Sequence, residues 1–252
     1  MPDWLLRSPI AHRGLHGLED GTFALEAGGG GPPENSLIAV EAATDAGYAA
    51  EIDLRLSADG ALIMIHDARL ERTTHGEGLV SEHTAATLRE TPLRGGDETL
   101  STLTDVLALV SGRTPLFLDL KAPPSAAAKA AMASALTRAL SRYGGAAAVM
   151  TFDPDLLAML RPALPDTPLG ILAGGEGRRA SLVSRFGRDA LLHTARTKPD
   201  FVGYFAQALP HPFVTLQRRK RPVLAWTVRS QAEAHGIARH ADQIIFEGFR
   251  PS

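Results

Sequence analysis

Residues 115–152 read PLFLDLKAPPSAAAKAAMASALTRALSRYGGAAAVMTF and contain the pattern that recurs along this 252-residue chain. A short apolar run at 115–120 predicts a strand, and the alanine-rich segment at about 124–143 predicts a helix. Gly144 and Gly145 end that helix, and a second apolar run at 147–152 predicts another strand. Two strands joined by a helix favour a parallel sheet, because parallel neighbours need a long crossover connection.

The same alternation of strands and helices extends to both ends of the chain. Further strands are predicted at 8–11, 49–56, 61–66, 169–172, 201–204, 223–228 and 243–246. Further helices are predicted at 37–46, 103–110, 155–160, 179–186, 212–219 and 231–240. The number of strands is near eight and the composition shows no break. We therefore predict an α/β fold, a (β/α)8 TIM barrel that forms one domain over residues 1–252.

Three segments interrupt this alternation. Residues 17–33 contain four consecutive glycines and then two prolines, a composition that predicts a long loop. Residues 58–60, Ala-Asp-Gly, predict a hairpin turn between the second and third strands. Residues 68–100 are mostly polar with little periodicity.

Composition excludes several functional classes. The net charge is −2, with acidic and basic residues interspersed, so no basic surface for nucleic acid is expected. The absence of cysteine excludes disulfides and thiolate chemistry. No apolar run is long enough for a secretory signal or a membrane span, so we expect a cytoplasmic protein without stable membrane insertion. These patterns leave the oligomeric state open.

Reactive side chains of a (β/α) barrel lie at the C-terminal ends of its strands. Glu51 and Asp53 are two residues apart on one predicted strand, so both carboxylates project to the same face. Asp119 and Lys121 have the same spacing on a later strand. Further polar or aromatic residues at predicted strand ends are His12, Arg13, His66 and Trp226.

If these strand ends converge, negative charge is in excess. The carboxylates of Glu34, Glu51, Asp53 and Asp119 would face only two fixed cations, Arg13 and Lys121. A divalent cation would neutralise the excess, and carboxylate ligands suit Mg²⁺ or Ca²⁺ better than Zn²⁺. A metal ion, an arginine, a lysine and two histidines are the groups needed to bind a phosphodiester and to move protons on its oxygens.

A series of short motifs resembles the glycerophosphodiester phosphodiesterase family over residues 10 to about 230. The strings, in the family's order, are IAHRG (10–14), PENS (33–36), EID (51–53), DG (59–60) with HD (66–67), LDLK (118–121), TFD (151–153) and AWTV (225–228). Each string is weak by itself, and seven in register form a strong signal.

The resemblance implies a metal-dependent hydrolase of glycerol and lipid metabolism. Such an enzyme hydrolyses a small-molecule glycerophosphodiester to glycerol 3-phosphate and an alcohol, on a TIM barrel that holds one divalent cation, Mg²⁺ or Ca²⁺. His12 and His66 resemble the family's general acid–base pair, but the sequence does not decide which is the acid, nor whether water or a substrate 2-hydroxyl attacks. The implied metal ligands are Glu51, Asp53 and Asp119. The resemblance also implies that residues 68–100 form a small insertion after the third strand. The implied substrate-binding or supporting residues are Arg13, Glu34, Asn35, Lys121 and, if it faces the pocket and not the core, Trp226.

Three departures from the family pattern keep alternatives open. The loop at 17–33 is longer than usual, Asp119 stands where Glu is more usual, and Phe246-Glu247-Gly248 replaces the common ending. One alternative is a lysophospholipase D-like phosphodiesterase that acts on lysolipids, and another is a non-catalytic barrel. The remaining histidines, His16 among them, are interpreted as surface or loop residues.

Overall fold

The computed structural model describes residues 1–19, 22–23, 31–175 and 194–251. The strands in this part of the chain are β1 (Ile10–Ala11), β2 (Leu18–Glu19), β3 (Thr22–Phe23), β4 (Ala49–Leu56), β5 (Leu62–Met64), β6 (Leu116–Leu120), β7 (Ala147–Thr151), β8 (Leu169–Ala173), β9 (Phe201–Phe205), β10 (Val223–Val228) and β11 (Gln243–Phe246).

Eight of these strands form a closed parallel barrel in the order β1, β4, β6, β7, β8, β9, β10, β11. Closure occurs at β1, which pairs in parallel with β4 on one side and with β11 on the other. Ala11 is the register partner of both Ala50 and Phe246. The predicted TIM barrel is therefore confirmed.

The helices of the described residues cover the outside of the barrel, apart from Ala85–Arg89, which lies in the insertion after β5. They are α1 (Leu37–Asp45), α2 (Ala85–Arg89), α3 (Leu103–Val110), α4 (Ala126–Leu140), α5 (Pro154–Leu160), α6 (Thr194–Thr197), α7 (Pro212–Arg218) and α8 (Gln231–Ile237). The alanine-rich helix is shorter than its predicted bounds, and it begins where Ser125 accepts a hydrogen bond from the Ala128 N–H group. None of the helices in these ranges has the length and apolar character needed to cross a membrane.

Two predicted segments fall wholly or partly outside the described residues. The helix predicted at 179–186 lies in the range 176–193, which is not described. Within the predicted loop at 17–33, β2 and β3 form a short antiparallel pair, and residues 20–21 and 24–30 are not described.

The barrel interior is apolar at the N-terminal ends of the strands. Phe117 and Phe201 pack edge to face with ring centroids 6.2 Å apart, and both are fully buried. Trp4, in the short 3₁₀ helix Asp3–Leu6, packs on Phe117 in the same way at 6.2 Å. This end of the barrel is filled with side chains, which leaves the C-terminal ends of the strands for a site.

The third predicted strand is not part of the barrel. β5 is shorter than the predicted 61–66 and pairs antiparallel with the C-terminal part of β4, Met64 opposite Leu54. β4 runs beyond the barrel and β5 returns toward it, so that the Ile65 N–H group donates to the Asp53 carbonyl at 3.0 Å. This antiparallel pairing brings His66 to the level of Asp53. His66 was predicted to end the strand, but it lies two residues after the end of β5.

The insertion that follows β5 has a small apolar core of its own. Its buried residues are Ile63, Ile65, Leu70, Val80, Leu88, Leu93 and Leu100. The 3₁₀ helix Val80–Glu82 and helix α2 contribute to this cluster. The cluster is separate from the barrel core, so the insertion packs as a distinct layer over one side of the barrel.

Candidate active site

A cavity of about 970 Å³ lies at the C-terminal ends of the barrel strands. Seven of the predicted site residues line it: His12, Arg13, Glu51, His66, Asp119, Lys121 and Trp226. The other three, Asp53, Glu34 and Asn35, lie behind the cavity wall and contact the residues that line it. The sequence-predicted residues therefore meet at one site.

The three predicted metal ligands are brought together by the register of β4 and β6. Asp53 is the register partner of Asp119, and Glu51 projects from the same face of β4 two residues earlier. One carboxylate oxygen from each residue lies within 4.8 Å of the other two. All three side chains are at most 4% exposed, so their charges are removed from water.

Two cations partly neutralise this carboxylate cluster. The Lys121 ammonium lies 2.8 Å from Asp53 Oδ1 and 2.6 Å from Asp119 Oδ2. Arg13 Nε lies 3.2 Å from Asp53 Oδ2, and the Arg13 backbone N–H donates to Glu51 Oε2 at 2.8 Å. Three carboxylates against two cations leave one negative charge in excess if all are ionised.

The chain turns sharply around this cluster. Arg13 has a φ of +57°, which costs a non-glycine residue about 1–3 kcal/mol, and it directs the Arg13 N–H at Glu51. Gly14 follows at +79°, and a Cβ there would lie 2.7 Å from the backbone of Ala39, so only glycine fits. Asn35, also left-handed, donates from Nδ2 to Asp53 Oδ2 at 2.9 Å and accepts from the Asp53 N–H.

Burial controls the ionisation of the carboxylates. Burial raises the pKa of Glu51 well above its usual value, and the charges of Asp53 and Asp119 raise it further. Burial raises the pKa of Asp119 to about 6 although Lys121 opposes this shift. Burial also disfavours ionised Asp53, but Lys121 and Arg13 prevail and hold the pKa of Asp53 well below its usual range. The unfavourable ionisation of Glu51 and Asp119 is what a further cation would relieve.

A divalent cation fits this cluster. Asp119 Oδ1 is buried and has no hydrogen-bond partner in the part of the chain that the structure describes, an expensive arrangement for a carboxylate oxygen. Oxygen donors alone form the cluster, which suits Mg²⁺ or Ca²⁺. The shorter side chain of Asp119, compared with the more usual Glu, still reaches the other two carboxylates.

His12 is held by a carboxylate that the sequence prediction did not assign. Its Nδ1 lies 2.6 Å from Glu247 Oε2. Burial opposes ionisation of Glu247, but the hydrogen bond from His12 prevails and lowers the Glu247 pKa to about 2. Glu247 is therefore ionised and His12 Nδ1 is the donor. The signal for Glu247 was its position directly after the last strand, where the other site residues also lie.

His66 has an equivalent partner in the next residue. Its Nδ1 lies 2.6 Å from Asp67 Oδ1, and the Arg72 guanidinium contacts both Asp67 and Glu34. Burial lowers the pKa of His66 and also the pKa of His12. Arg55 Nε donates to the His66 carbonyl at 2.7 Å. Arg55 was missed, although its spacing of two from Asp53 places it on the same face of β4.

Trp226 faces the cavity between two aromatic rings. The ring centroids of Phe152 and Phe205 each lie 5.4 Å from that of Trp226. Trp226 Nε1 is buried and has no hydrogen-bond partner among the described residues. Trp226 thus lines the cavity.

Known proteins are similar to this chain in sequence and in fold. A Bacillus altitudinis glycerophosphodiester phosphodiesterase is 35% identical over 106 residues, which cover 39% of this chain and 43% of that protein. A Mycobacterium tuberculosis relative is 32% identical over 164 residues, 56% of this chain and 59% of its own length. The chain thus spans about half the length of these curated relatives.

The fold is similar to solved structures along nearly its whole length. An Oleispira antarctica phosphodiesterase, solved in complex with the product sn-glycerol-3-phosphate, has a TM-score of 0.75 at 21% identity, with 97% of this chain and 94% of that chain covered. The family model described as "Glycerophosphoryl diester phosphodiesterase family" matches residues 12–245. This match extends from the first site histidine to the last barrel strand, and the chain belongs to the glycerophosphoryl diester phosphodiesterase family.

Proposed function

We propose that this protein hydrolyses glycerophosphodiesters to glycerol 3-phosphate and an alcohol. One observation carries the proposal: two histidines, each hydrogen-bonded through Nδ1 to a carboxylate, face one cavity that also contains a three-carboxylate cluster. Two proton-transfer groups beside a cation site are the requirements of phosphodiester hydrolysis.

The histidines act as the general acid and the general base. Glu247 and Asp67 occupy the Nδ1 positions of His12 and His66, so each ring exchanges protons through Nε2. One ring takes the proton of the attacking hydroxyl as its oxygen bonds to phosphorus. The other ring, protonated, gives its proton to the alcohol oxygen as the bond from phosphorus to that oxygen breaks. One proton is taken and one is given, so the pair ends with its total unchanged.

Positive charge around the cavity offsets the charge of the phosphodiester. Arg13 and Lys121 line the cavity, and both are anchored by carboxylates, which fixes their positions before substrate binds. Glu51, Asp53 and Asp119 would hold a divalent cation, which would supply further positive charge at a phosphoryl oxygen. Glu34 and Asn35 support this arrangement through their hydrogen bonds to Arg13 and Asp53.

The cavity suits a small-molecule substrate. Its volume is at the upper end of the roughly 300–1,000 Å³ that small-ligand sites usually have. Beyond the charged residues its wall is aromatic and aliphatic, with Phe152, Phe205, Trp226 and Leu172. The solved Oleispira antarctica phosphodiesterase binds sn-glycerol-3-phosphate on the same fold, which supports a glycerol phosphate moiety as the common part of the substrate.

The test is release of glycerol 3-phosphate from glycerophosphocholine and glycerophosphoethanolamine with Mg²⁺, with Ca²⁺ and with excess EDTA. We expect turnover that EDTA abolishes and that added Mg²⁺ or Ca²⁺ restores. Asp119→Asn should reduce turnover at every metal concentration because it removes one of the three proposed ligands. Asp166→Asn, which changes an exposed carboxylate outside the cavity, is the matched control and should leave turnover unchanged.

Three results would contradict the proposal. Full turnover in excess EDTA would remove the cation from the reaction. Absence of turnover on both substrates, with release of choline from a long-chain lysophosphatidylcholine instead, would replace the proposed substrate by a lysolipid. No turnover on any of the three substrates would favour a non-catalytic barrel.

A further inference from the structure

A second group of potential metal ligands lies beside the carboxylate cluster and shares no residue with it. His12, His16 and Glu247 each place one ligand atom within 4.8 Å of the other two. All three residues are partly buried, and His12 lines the cavity. The acid–base proposal uses His12 and Glu247 and gives His16 no role.

The fold explains why these three residues meet. His12 and His16 are four residues apart in the turn that follows β1. Ala11 and Phe246 are register partners of the pair β1–β11, and the His12 N–H donates to the Phe246 carbonyl at 2.9 Å. Glu247, the next residue, is therefore placed beside His12 by the closure of the barrel. The paired strands β1 and β11 therefore position His12 and Glu247.

His16 has a buried imidazole nitrogen, Nε2, that has no hydrogen-bond partner within the described residues. Burial lowers the pKa of His16 to about 4, so the ring is neutral near pH 7 and carries one free lone pair. Glu247 is ionised under the same conditions, because its pKa is about 2. A neutral imidazole and an ionised carboxylate are the forms that bind metal ions.

We propose that His12, His16 and Glu247 form a binding site for a transition-metal ion of the Zn²⁺ type, distinct from the carboxylate cluster. Two imidazole nitrogens and one carboxylate oxygen are a ligand set that Zn²⁺ accepts, with water as the fourth ligand. Imidazole favours Zn²⁺, Ni²⁺ and Cu²⁺ over Mg²⁺ and Ca²⁺, whereas the all-oxygen cluster suits Mg²⁺ and Ca²⁺. The two sites therefore select different ions.

Occupation of this site would inhibit turnover. This consequence rests on the proposed function, but the existence of the site does not depend on it. The ion would replace the proton between His12 Nδ1 and Glu247, and that proton moves to Nε2 of the same ring. A ring with metal on Nδ1 and a proton on Nε2 is unable to take up a second proton. His12 would then be lost as a proton-transfer group for as long as the ion stays bound.

Binding is tested without reference to activity. Co²⁺ is titrated into the full chain in excess Mg²⁺ while the visible absorption of four-coordinate Co²⁺ is followed, and Zn²⁺ is then added to displace it. The proteins compared are wild type, His16→Ala, His16→Gln and Asp119→Asn, with His75→Ala as a control at an exposed histidine. Thermal melting verifies that each variant is folded.

We expect the Co²⁺ spectrum in wild type, Asp119→Asn and His75→Ala, and its loss in both His16 variants. Zn²⁺ affinity in the His16 variants should fall by at least about 100-fold, because loss of a supporting partner alone costs 10–100-fold. Equal Zn²⁺ affinity in wild type and both His16 variants would overturn the proposal. A Co²⁺ spectrum that disappears in Asp119→Asn and persists in His16→Ala would also overturn the proposal, since it would assign the ion to the carboxylate cluster.

Activity supplies the second readout. Low concentrations of Zn²⁺ should inhibit glycerol 3-phosphate release by wild type in excess Mg²⁺ and should have little effect on His16→Ala, whose turnover without Zn²⁺ stays normal. Equal inhibition of both proteins would overturn the inhibitory role. If no protein has turnover, the proposed function fails, and the Co²⁺ spectra still decide whether the site exists.

Discussion

On one side of the cavity His12 follows barrel strand β1 and pairs with Glu247, a residue 235 positions away along the chain. On the other side His66 follows hairpin strand β5 and pairs with its neighbour Asp67. The hydrogen-bond length is 2.6 Å in both pairs. The side chain of His12 is 15% exposed and that of His66 is 35% exposed.

The difference shows that one chemical arrangement is built in two ways. The His12 side depends on closure of the barrel, because only the pairing of β1 with β11 brings Glu247 to the ring. The His66 side depends on the insertion, because Arg72 holds Asp67 and connects it to Glu34. This contrast between a barrel side and an insertion side should have measurable consequences for activity and stability.

Loss of either histidine should have the largest effect. His12→Ala and His66→Ala should each lower kcat by about 10²–10⁴-fold, because each removes one proton-transfer group. The measurement is steady-state glycerol 3-phosphate release at saturating substrate. His83→Ala, in the insertion and outside the cavity lining, is the control. Near-normal turnover in one of the two site variants would remove that histidine from the mechanism and end the equivalence of the two sides.

Truncation of the two apolar cores should separate the stability of the barrel from that of the insertion. Leu136 in α4 and Leu88 in α2 are both fully buried. Each leucine-to-alanine change should cost about 2–5 kcal/mol. We expect Leu136→Ala to lower the melting temperature of the whole barrel. Leu88→Ala should mainly accelerate hydrogen exchange of amides within residues 68–100, and should lower activity through His66.

Equal falls in melting temperature for Leu88→Ala and Leu136→Ala would contradict this separation. In that case the insertion and the barrel unfold as one cooperative unit, and the two sides of the cavity differ only in their contacts.

Removal of the charge from the histidine partners should have a smaller effect that differs between the sides. A hydrogen bond to a charged group contributes about 1.5–3 kcal/mol, so Glu247→Gln should lower kcat/KM by roughly 10- to 150-fold. Asp67→Asn should lower it less, because its carboxylate is 28% exposed against 14% for Glu247. A larger loss in Asp67→Asn would reverse the comparison.

The pH profile separates positioning of the ring from a general structural effect. The contact with Glu247 raises the pKa of His12, in opposition to burial, which lowers it. In Glu247→Gln the neutral form of His12 should therefore persist to lower pH, and the limb of the kcat/KM profile that reports His12 should move to lower pH: the acidic limb if His12 is the base, the basic limb if it is the acid. A profile in which neither limb moves would contradict control of His12 by Glu247.

Change of Arg72 should have the smallest effect. Arg72 contacts Glu34 through both terminal nitrogens, at 2.7 and 2.9 Å, but its side chain is 48% exposed. Arg72→Lys keeps the charge and loses the two-pronged contact. Exposed ion pairs contribute about 0.2–1 kcal/mol, so kcat/KM should fall by at most about fivefold. Arg113→Lys, at an exposed pair with Asp45, is the control, and a far larger fall in Arg72→Lys would indicate direct contact with substrate.

Most of the fold and most of the site residues could be predicted from local patterns. The spacing of Glu51 and Asp53 indicated one shared face, and the register of β4 and β6 places Asp119 beside them. The third strand was predicted too long because Ile65 is as apolar and buried as a strand residue, although it packs in the insertion core. Glu247 was noted only as a departure, because nothing near it in the sequence indicates a histidine.

The sequence by itself determined which chemical groups lie at the strand ends and which of them share a face. The periods of strands and helices are local properties of the backbone, so a single sequence is sufficient to read them. The tertiary structure alone decided the partners: Glu247 for His12, Glu34 for Arg72, and the position of His16 beside the first pair. These partners meet because β1 pairs with β11 to close the barrel and because the β4–β5 hairpin folds back toward the barrel. Both contacts bring together residues that are not neighbours in the sequence, and local periodicity contains no information about such contacts.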